Sequence, residues 1–270
     1  MVNNDKVVII TGISSGFGLA TARIFRDKGY RVYGFARKPF TEEGLFTTSL
    51  DITNYKRVDE YIKEVYEKEK RIDYLINSAG FGITGSIENT DIDLIKKQFE
   101  VNYFGTVNIT KAVIPYMRAN NFGRIAIISS VAAVFPIPFQ AFYSSHKAAL
   151  NSFGEALNIE VKPFGIKVTN FIPGDAKTNF DKNRINTKVN EPAYKDRIEK
   201  SLTKMRKDEL KGMSKEYVAK VIYKNITKKR PPLRKTIGKS YKFLVFLERL
   251  FPRKFINFVL DKMYGFSKTK

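Results

Sequence analysis

The feature that most constrains the fold is an apolar strand that runs into a glycine-rich turn. The strand, Lys6-Val-Val-Ile-Ile10, is short, continuous and rich in β-branched residues, as strands buried on both faces are. Thr11-Gly-Ile-Ser-Ser-Gly-Phe-Gly18 follows, and then a helical pattern that closes at Gly29. A strand, turn and helix in this order direct free backbone N–H groups and the positive end of the helix dipole at a phosphate. We therefore expect a nucleotide site formed by Gly12, Ser14, Ser15, Gly16, Phe17 and Gly18.

The rest of the chain repeats this alternation of strand and helix with short connections. Further strands are predicted at 30–36, 46–50, 73–76, 124–128, 167–172 and near 233–237. Helices are predicted at about 54–69, 91–102, 104–119, 142–163 and 214–227. This order predicts an α/β fold, a Rossmann-type doubly wound parallel sheet of about seven strands with helices on both faces. Ligands of such sheets bind at the carboxyl ends of the strands, where the polar motifs of this chain lie.

The residues after the second, third and fourth strands indicate a dinucleotide. In dinucleotide-binding folds an acidic residue after the second strand holds the ribose 2′-hydroxyl, whereas a basic residue accepts a 2′-phosphate. Here Arg37 and Lys38 occupy that place, which favours NADP, as NADPH, over NADH. Asp51, followed by Ile52, is placed to accept a hydrogen bond from the adenine amino group or to serve as a turn or capping residue. Asn77-Ser-Ala-Gly80 supplies small residues that suit a floor beneath the cofactor.

Tyr143 and Lys147 are the candidate acid–base pair. Four residues apart in the helix predicted at 142–163, they lie one turn apart on one face. An ammonium in this place stabilises the phenolate and lowers the tyrosine pKa from its reference of about 10. The phenol would then serve as a general acid or base near neutral pH. The same spacing also occurs in ordinary helix packing, and the upstream motifs favour the catalytic interpretation.

Taken together, these motifs resemble those of the short-chain dehydrogenases/reductases. The matching residues are Thr11-Gly-x-x-x-Gly-x-Gly18, Asn77-x-Ala-Gly80, Ser130, Tyr143-x-x-x-Lys147 and Pro173-Gly-x-x-x-Thr178. They occur in the family's order and at its spacing over about residues 5–240. The chain departs from the pattern at Ser78, where the family commonly has a second asparagine, and at Ala133, where a glycine is common.

The resemblance implies four catalytic positions. Tyr143 would exchange a proton with the substrate oxygen, while Lys147 would lower the tyrosine pKa and bind the nicotinamide ribose. Ser130 would hold and polarise the substrate oxygen, and Asn102 would anchor a water that relays protons to Lys147. His146 is expected to point away from the Tyr–Lys face.

The resemblance also implies the remaining cofactor contacts and the reaction. Asn77, Ala79 and Gly80 would lie beneath the cofactor, and Pro173, Gly174 and Thr178 would cover its carboxamide and diphosphate side. The expected reaction is hydride transfer between NADP(H) and a hydrophobic ketone or secondary alcohol. An apolar pocket is predicted from residues that border the catalytic groups, namely Phe135, Ile137, Phe139, Phe142 and Phe180. Family members are often dimers or tetramers through the helices near 104–119 and 142–163.

We predict a single catalytic domain over residues 1–240, with a substrate lid at 175–212, and a basic amphipathic helical extension at 241–270. Of the formal net charge of +21, much lies in residues 228–270, where thirteen basic side chains face only Glu248 and Asp261. Basic, aromatic and amphipathic segments are typical of helices that lie on an anionic membrane. The alternative is a helical pair that packs on the domain's own core or on a sister subunit. Such extensions resemble those of the lipid- and steroid-type, hydroxysteroid dehydrogenase-like branch.

Composition excludes several other classes of function. The chain has no cysteine and one histidine, so thiol nucleophiles and zinc–thiolate sites are excluded and no metal site is expected. A reducing, cytoplasmic location is expected, with the membrane surface as a second one, because no signal-peptide layout or membrane-length apolar run appears. No nucleic-acid motif accompanies the positive charge. A catalytically silent NADP-binding regulatory or scaffold protein is the alternative function, and the intact Asn–Ser–Tyr–Lys set argues against it.

Overall fold

A parallel sheet with helices on both faces organises the computed structural model, which describes residues 5–178, 180, 183–187 and 192–264. The strands are β1 Val7–Thr11, β2 Arg31–Ala36, β3 Phe46–Ser49, β4 Tyr74–Asn77, β5 Gly123–Ile128, β6 Ile166–Pro173 and β7 Arg234–Ile237. The helices are α1 Gly16–Asp27, α2 Tyr55–Glu69, α3 Ile92–Phe99, α4 Gly105–Ala119, α5 Ala141–Glu160, α6 Pro192–Lys211, α7 Lys215–Ile226, α8 Lys239–Glu248 and α9 Arg253–Tyr264. Within the described residues this confirms the predicted doubly wound sheet of about seven strands.

The strand order across the sheet is β7-β6-β5-β4-β1-β2-β3, and every neighbouring pair is parallel. After β3 the chain crosses to the other side of β1 to form β4. The order therefore reverses between β1 and β4, where Ile10 pairs with both Gly34 and Ile76. Doubly wound sheets bind their ligands in the crevice that this reversal opens.

Alternation along the central strands divides the core into two layers. Val7 and Ile9 of β1 pack toward α2, α4 and α5, whereas Val8 and Ile10 pack toward α1 and α7. All four side chains are fully buried. Because both faces of β1 are covered, its sequence is continuously apolar rather than alternating.

A π-helical turn, Glu100–Phe104, joins α3 to α4. The sequence pattern predicts two helices that meet near residue 103, and the structure has one continuous run with a wider turn inside it. Wide turns of this kind re-aim side chains and often occur at functional sites. Here the wider turn brings Asn102 into the protein interior.

The segment between β6 and α7 crosses the carboxyl edge of the sheet. Two short parallel strand pairs hold it, Ile83–Thr84 with Ile185–Asn186 and Ala176–Lys177 with Met213–Ser214. The 20-residue α6 lies between them in sequence. Residues 179, 181–182 and 188–191 of the predicted lid, and Lys268 and Lys270 of the basic tail, lie outside the described residues. Among the described helices, none is both long and apolar enough to span a lipid bilayer.

Candidate active site

A cavity of about 650 Å³ opens at the carboxyl ends of β1, β2, β4, β5 and β6. It lies at the reversal of strand order, and it contains the four predicted catalytic residues Tyr143, Lys147, Ser130 and Asn102. The predicted cofactor residues that line it are Gly12, Ser14, Ser15, Gly16, Phe17, Arg37, Lys38, Asp51, Ile52, Ala79, Gly80, Tyr143, Lys147, Pro173, Gly174 and Thr178. Motifs far apart in the sequence are thus brought to one site.

The glycine-rich turn has the shape that a diphosphate requires. Gly12 has a φ of +71°, and a Cβ on it would lie 2.8 Å from the Ala79 Cα, so this close approach of two backbones needs glycine. Gly16 has a φ of +58° and faces open space, with nothing within 4 Å of an added Cβ. The Ser15 side chain caps no N–H of α1 within the described residues, and the first-turn residues Gly16 and Phe17 line the cavity. Backbone N–H groups without a side-chain cap, together with the positive end of the α1 dipole, favour a bound phosphate. The turn therefore fits the diphosphate of a dinucleotide.

Arg37 and Lys38 lie exposed at the end of β2 and border the cavity. The Arg37 carbonyl accepts a hydrogen bond of 2.9 Å from the Ser49 hydroxyl, which fixes the backbone of the loop independently of both cationic side chains. No described carboxylate lies within salt-bridge distance of either cation. Asp51 instead accepts from the Thr53 N–H and hydroxyl and forms a tight turn before α2.

Two predicted cofactor residues, Gly18 and Asn77, do not line the cavity. A Cβ on Gly18 would lie 2.3 Å from the Gly12 carbonyl oxygen, so this glycine allows α1 to pack on the turn. The Asn77 side chain is buried and donates to the Thr110 hydroxyl at 3.2 Å, which ties β4 to α4. Each shapes the cavity wall from behind, and direct contact of these two residues with a cofactor stays a prediction.

On α5 Lys147 is buried and Tyr143 is partly buried, and the loss of contact with water dominates the protonation of both side chains. Burial raises the pKa of Tyr143 to about 12, and a hydrogen bond with the Ser130 hydroxyl only partly opposes this. Burial also lowers the pKa of Lys147 to about 8. The Lys147 Nζ donates to the Ile128 carbonyl at 2.7 Å and lies 5.7 Å from the centre of the Tyr143 ring. The predicted lowering of the tyrosine pKa was therefore wrong for this arrangement, and the phenol stays protonated at neutral pH.

Ser129 and Ser130 position the loop that faces α5. The Ser129 hydroxyl donates to the Lys147 carbonyl at 3.1 Å. The Ser130 hydroxyl accepts from the Ala132 N–H at 3.1 Å and so caps a short 3-10 turn, Val131–Ala133. These bonds hold the end of β5 against the first turns of α5, so the Ser130 hydroxyl and the phenol share one side of the cavity.

Asn102 and His146 form a buried brace beneath this group. The Asn102 Oδ1 accepts from the Phe81 N–H at 3.0 Å, and its Nδ2 donates to the Phe81 carbonyl at 2.8 Å. The same Nδ2 lies 3.0 Å from the His146 Nε2, while the His146 Nδ1 lies 3.1 Å from the Phe142 carbonyl. Since a carbonyl only accepts, the imidazole is protonated on Nδ1, and its Nε2 accepts from Asn102.

The prediction that His146 points away from the Tyr–Lys face was wrong. Its ring packs edge-on against the Tyr143 ring, with 5.0 Å between centroids. Burial and the nearby Lys147 charge lower the pKa of His146 to about 2, so the imidazole stays neutral. It therefore links the π turn to α5 through an uncharged hydrogen bond. The predicted water relay at Asn102 stays a prediction.

The substrate end of the cavity is more polar than predicted. Ile137 and Phe180 line it, whereas Phe135, Phe139 and Phe142 lie outside the lining. Polar residues that also line the cavity are Lys97, Gln140, Asn183, Arg184 and Glu209. The Arg184 guanidinium pairs with the Glu209 carboxylate of α6 and lies over the Phe180 ring at 5.8 Å. Sequence patterns missed this pair because its members are 25 residues apart, within a stretch that reads as generally basic and polar.

Comparison with known proteins agrees with this geometry. The family model "short chain dehydrogenase" matches residues 6–189, and the chain belongs to that family. Membership makes it an oxidoreductase that acts on CH–OH groups, and it implies a nicotinamide cofactor. A 3-ketodihydrosphingosine reductase of Bacteroides thetaiotaomicron is 39% identical over 237 residues, which are 86% of this chain and 88% of the relative. An uncharacterized oxidoreductase, YusZ, of Bacillus subtilis is 32% identical and covers 96% of this chain and 98% of its own.

Solved structures show the same fold. A short-chain dehydrogenase from Streptomyces avermitilis superimposes with a TM-score of 0.82 at 29% identity, over 99% of this chain and 100% of its own. A serine dehydrogenase solved in a closed form with NADP+ has a TM-score of 0.74 over 86% of this chain and 94% of its own. At 22% identity the second likeness concerns the fold alone.

Proposed function

We propose that this chain is an NADP(H)-dependent reductase of a hydrophobic, lipid-like ketone, with Tyr143 as the general acid. The observation that carries the proposal is the group of Tyr143, Ser130 and the buried Lys147, which line one continuous cavity. The phenol carries its proton at neutral pH and can donate it to a carbonyl oxygen, and a preference for NADP(H) would favour reduction in the cell. The same cavity extends to the glycine-rich turn, so cofactor and substrate would meet beside the phenol.

The cofactor preference follows from charge at the end of β2. When bound, NADPH supplies the hydride for the carbonyl carbon. Arg37 and Lys38 would hold the 2′-phosphate, the turn and the start of α1 would hold the diphosphate, and Asp51 and Ile52 would border the adenine. Ala79, Gly80, Pro173, Gly174 and Thr178 line the same cavity and would complete the cofactor contacts.

Residues of this chain would transfer the proton to the substrate and stabilise the phenolate that the transfer leaves behind. The Tyr143 hydroxyl donates its proton to the carbonyl oxygen as the alcohol forms, and the Ser130 hydroxyl donates a second hydrogen bond to that oxygen. The Lys147 ammonium, held by the Ile128 carbonyl, stabilises the phenolate that remains. The Asn102–His146 brace keeps the Tyr143 ring in place from beneath.

The substrate class is inferred from the cavity wall and the relatives. Ile137 and Phe180 offer apolar contacts, while Gln140, Asn183 and the Arg184–Glu209 pair offer polar ones. An amphipathic ketone, with an apolar chain and a polar group near the carbonyl, matches this mixture. The name of the Bacteroides relative, a 3-ketodihydrosphingosine reductase, supports the same class.

We further propose that residues 1–240 form the catalytic domain and 175–212 its substrate lid, with 241–270 as an extension. This division is supported by the Arg184–Glu209 pair, which joins two parts of the segment to each other, and by the pairing of Ile83 with Ile185, which attaches it to the loop after β4. The family generally oligomerises. A dimer or tetramer through α4 and α5 is the corresponding proposal here, and light scattering after gel filtration would test it.

The proposal is tested by a screen of NADPH oxidation over ketones of graded chain length, with steroid, acyl and amino ketones included. We expect kcat/KM to rise with apolar length among ketones that carry a polar group next to the carbonyl, and acetone to serve as the poor-substrate control. A protein that binds NADPH and oxidises it with none of these ketones would instead favour the silent scaffold function.

A further inference from the structure

The pair of terminal helices, α8 and α9, leaves its apolar side chains uncovered within the described residues. Of these two helices only Ile256 is buried. Large apolar side chains with the highest exposure are Phe243 at 61%, Phe246 at 57%, Leu250 at 63% and Phe258 at 57%. A single exposed leucine needs no explanation, but a cluster of this size marks an interaction site.

The exposed residues form a continuous stripe rather than a scatter. Phe243 and Phe246 lie three residues apart on α8, and Leu250 follows in the turn after that helix. Phe255 and Phe258 are likewise three residues apart on α9, and Phe251 precedes that helix with its ring 4.8 Å from the Phe255 ring. The two stripes meet at the adjacent residues Leu250 and Phe251. We call these six side chains the terminal apolar stripe.

Positive charge accompanies the stripe. Residues 239–264 carry six basic side chains, Lys239, Lys242, Arg249, Arg253, Lys254 and Lys262, and two acidic ones, Glu248 and Asp261. Glu248 pairs with Arg253 at 2.9 Å. Lys239, Lys242, Arg249 and Lys254 are exposed. A second copy docked on this surface would bring like charges together, whereas an anionic lipid surface complements them.

Anchoring contacts place the stripe beside the candidate active site. The Tyr241 hydroxyl donates to the Asp175 carboxylate, and its ring packs so closely on Gly174 that a Cβ there would lie 2.0 Å from it. The Arg253 Nη1 donates to the Val134 carbonyl at 3.1 Å, one residue beyond the turn that Ser130 caps. Gly174 and Asp175 line the cavity. Both helices are therefore fixed to loops of the catalytic group and have a defined orientation.

We infer that the terminal apolar stripe docks on an anionic lipid bilayer. The helices have 10 and 12 residues, which is too short to cross the hydrocarbon core but sufficient to lie in the interface. Phenylalanine rings would enter the boundary between headgroups and acyl chains, and the flanking lysines and arginines would meet the anionic headgroups. Docking in this place holds the cavity next to the phase in which a lipid-like ketone dissolves.

The test is co-sedimentation of the whole protein with vesicles, and it needs no turnover. Vesicles of phosphatidylglycerol mixed with phosphatidylcholine are compared with phosphatidylcholine alone. The variant Phe246→Ser/Phe258→Ser should weaken binding at least about tenfold, because two exposed rings no longer leave water. The variant Lys242→Glu/Lys254→Glu should lose the preference for phosphatidylglycerol. Matched controls are Ile87→Ser/Ile92→Ser, comparably exposed elsewhere, and Lys28→Glu/Lys56→Glu.

Wild-type sedimentation that depends on phosphatidylglycerol, together with unchanged controls, supports the inference. Equal sedimentation of wild type and Phe246→Ser/Phe258→Ser overturns it, and so does absence of binding to both vesicle types. A smaller oligomer for that variant, with vesicle binding unaltered, would assign the stripe to a second copy instead. Turnover of a water-soluble ketone, measured on the same variants, should stay unchanged, so failure of the docking and failure of the proposed reduction are distinguishable.

Discussion

The proposed preference for NADP(H) should be lost when two side chains, Arg37 and Lys38, are replaced with alanine. Both are exposed at the end of β2 and border the cavity, and the backbone there is held by the Ser49 hydroxyl. The substitutions should therefore leave the turn and the strand intact. Their effect should fall on NADPH, which carries the phosphate, and should spare NADH.

The magnitude follows from two charge-assisted hydrogen bonds. Each is worth about 1.5–3 kcal/mol, and solvent exposure places these at the lower end. A loss of about 1.4 kcal/mol is a factor of ten, so each single variant should lower kcat/KM for NADPH about tenfold, and the double variant about a hundredfold. Higher ionic strength should shrink the difference, because exposed charges are screened by salt.

The assay is kcat/KM with NADPH and with NADH for one fixed ketone, and the ratio of the two is the result. A general loss of folded enzyme lowers both values and leaves the ratio unchanged. Lys228→Ala, an exposed lysine ahead of β7 and away from the carboxyl ends, is the matched control. An equal fall with both cofactors, or no fall with NADPH, would refute the role given to these cations.

Three further predictions concern the turn, the lysine and the brace. Gly18→Ala places a Cβ 2.3 Å from the Gly12 carbonyl, so NADPH affinity measured by fluorescence titration should fall by about 1–3 kcal/mol, and unchanged affinity would contradict the packing role. Because the pKa of Lys147 is about 8, its ammonium loses its proton as the pH rises through that value, while the phenol of Tyr143, with a pKa of about 12, stays protonated. The kcat/KM for reduction should therefore decline above about pH 8. A kcat/KM that is constant from pH 7 to 10 would contradict this prediction. His146→Phe removes the acceptor of the Asn102 Nδ2 and should lower the free energy of unfolding by about 1–3 kcal/mol. His146→Gln should recover part of that loss. Equal melting temperatures for the two variants would argue against the brace.

Sequence patterns predict most of the fold because each β-strand and helix carries its own local signal. The strand Val7–Thr11 is apolar on both sides because it lies in the centre of the sheet, and its turn needs glycine because backbones nearly touch at Gly12 and Ala79. Ligands of such sheets bind at the carboxyl ends of the strands. Arg37 and Ser130 follow two of those ends and Tyr143 lies on the helix after Ser130, so the sequence predicts that the three residues meet without any knowledge of their distances.

Features that depend on packing between distant segments could not be predicted in this way. The π turn at Glu100–Phe104 keeps an ordinary helical pattern, and the contact of His146 with Asn102 spans 44 residues. The sign of the Tyr143 pKa shift depends on how far tertiary structure buries the phenol, which spacing alone does not reveal. Gly18 and Asn77 follow the family's motif, yet Gly18 packs against the Gly12 carbonyl and the Asn77 side chain donates to Thr110 of α4, so neither residue lines the cavity.

The most direct test of the proposed chemistry compares Tyr143→Phe with Tyr55→Phe, an exposed tyrosine outside the cavity. Single-turnover reduction of the best ketone and NADPH affinity are measured for both variants and the wild type. We expect Tyr143→Phe to slow reduction about 10²- to 10⁴-fold, because the proton donor is lost, with NADPH affinity and Tyr55→Phe unchanged. Wild-type rates for Tyr143→Phe would contradict its role as the general acid.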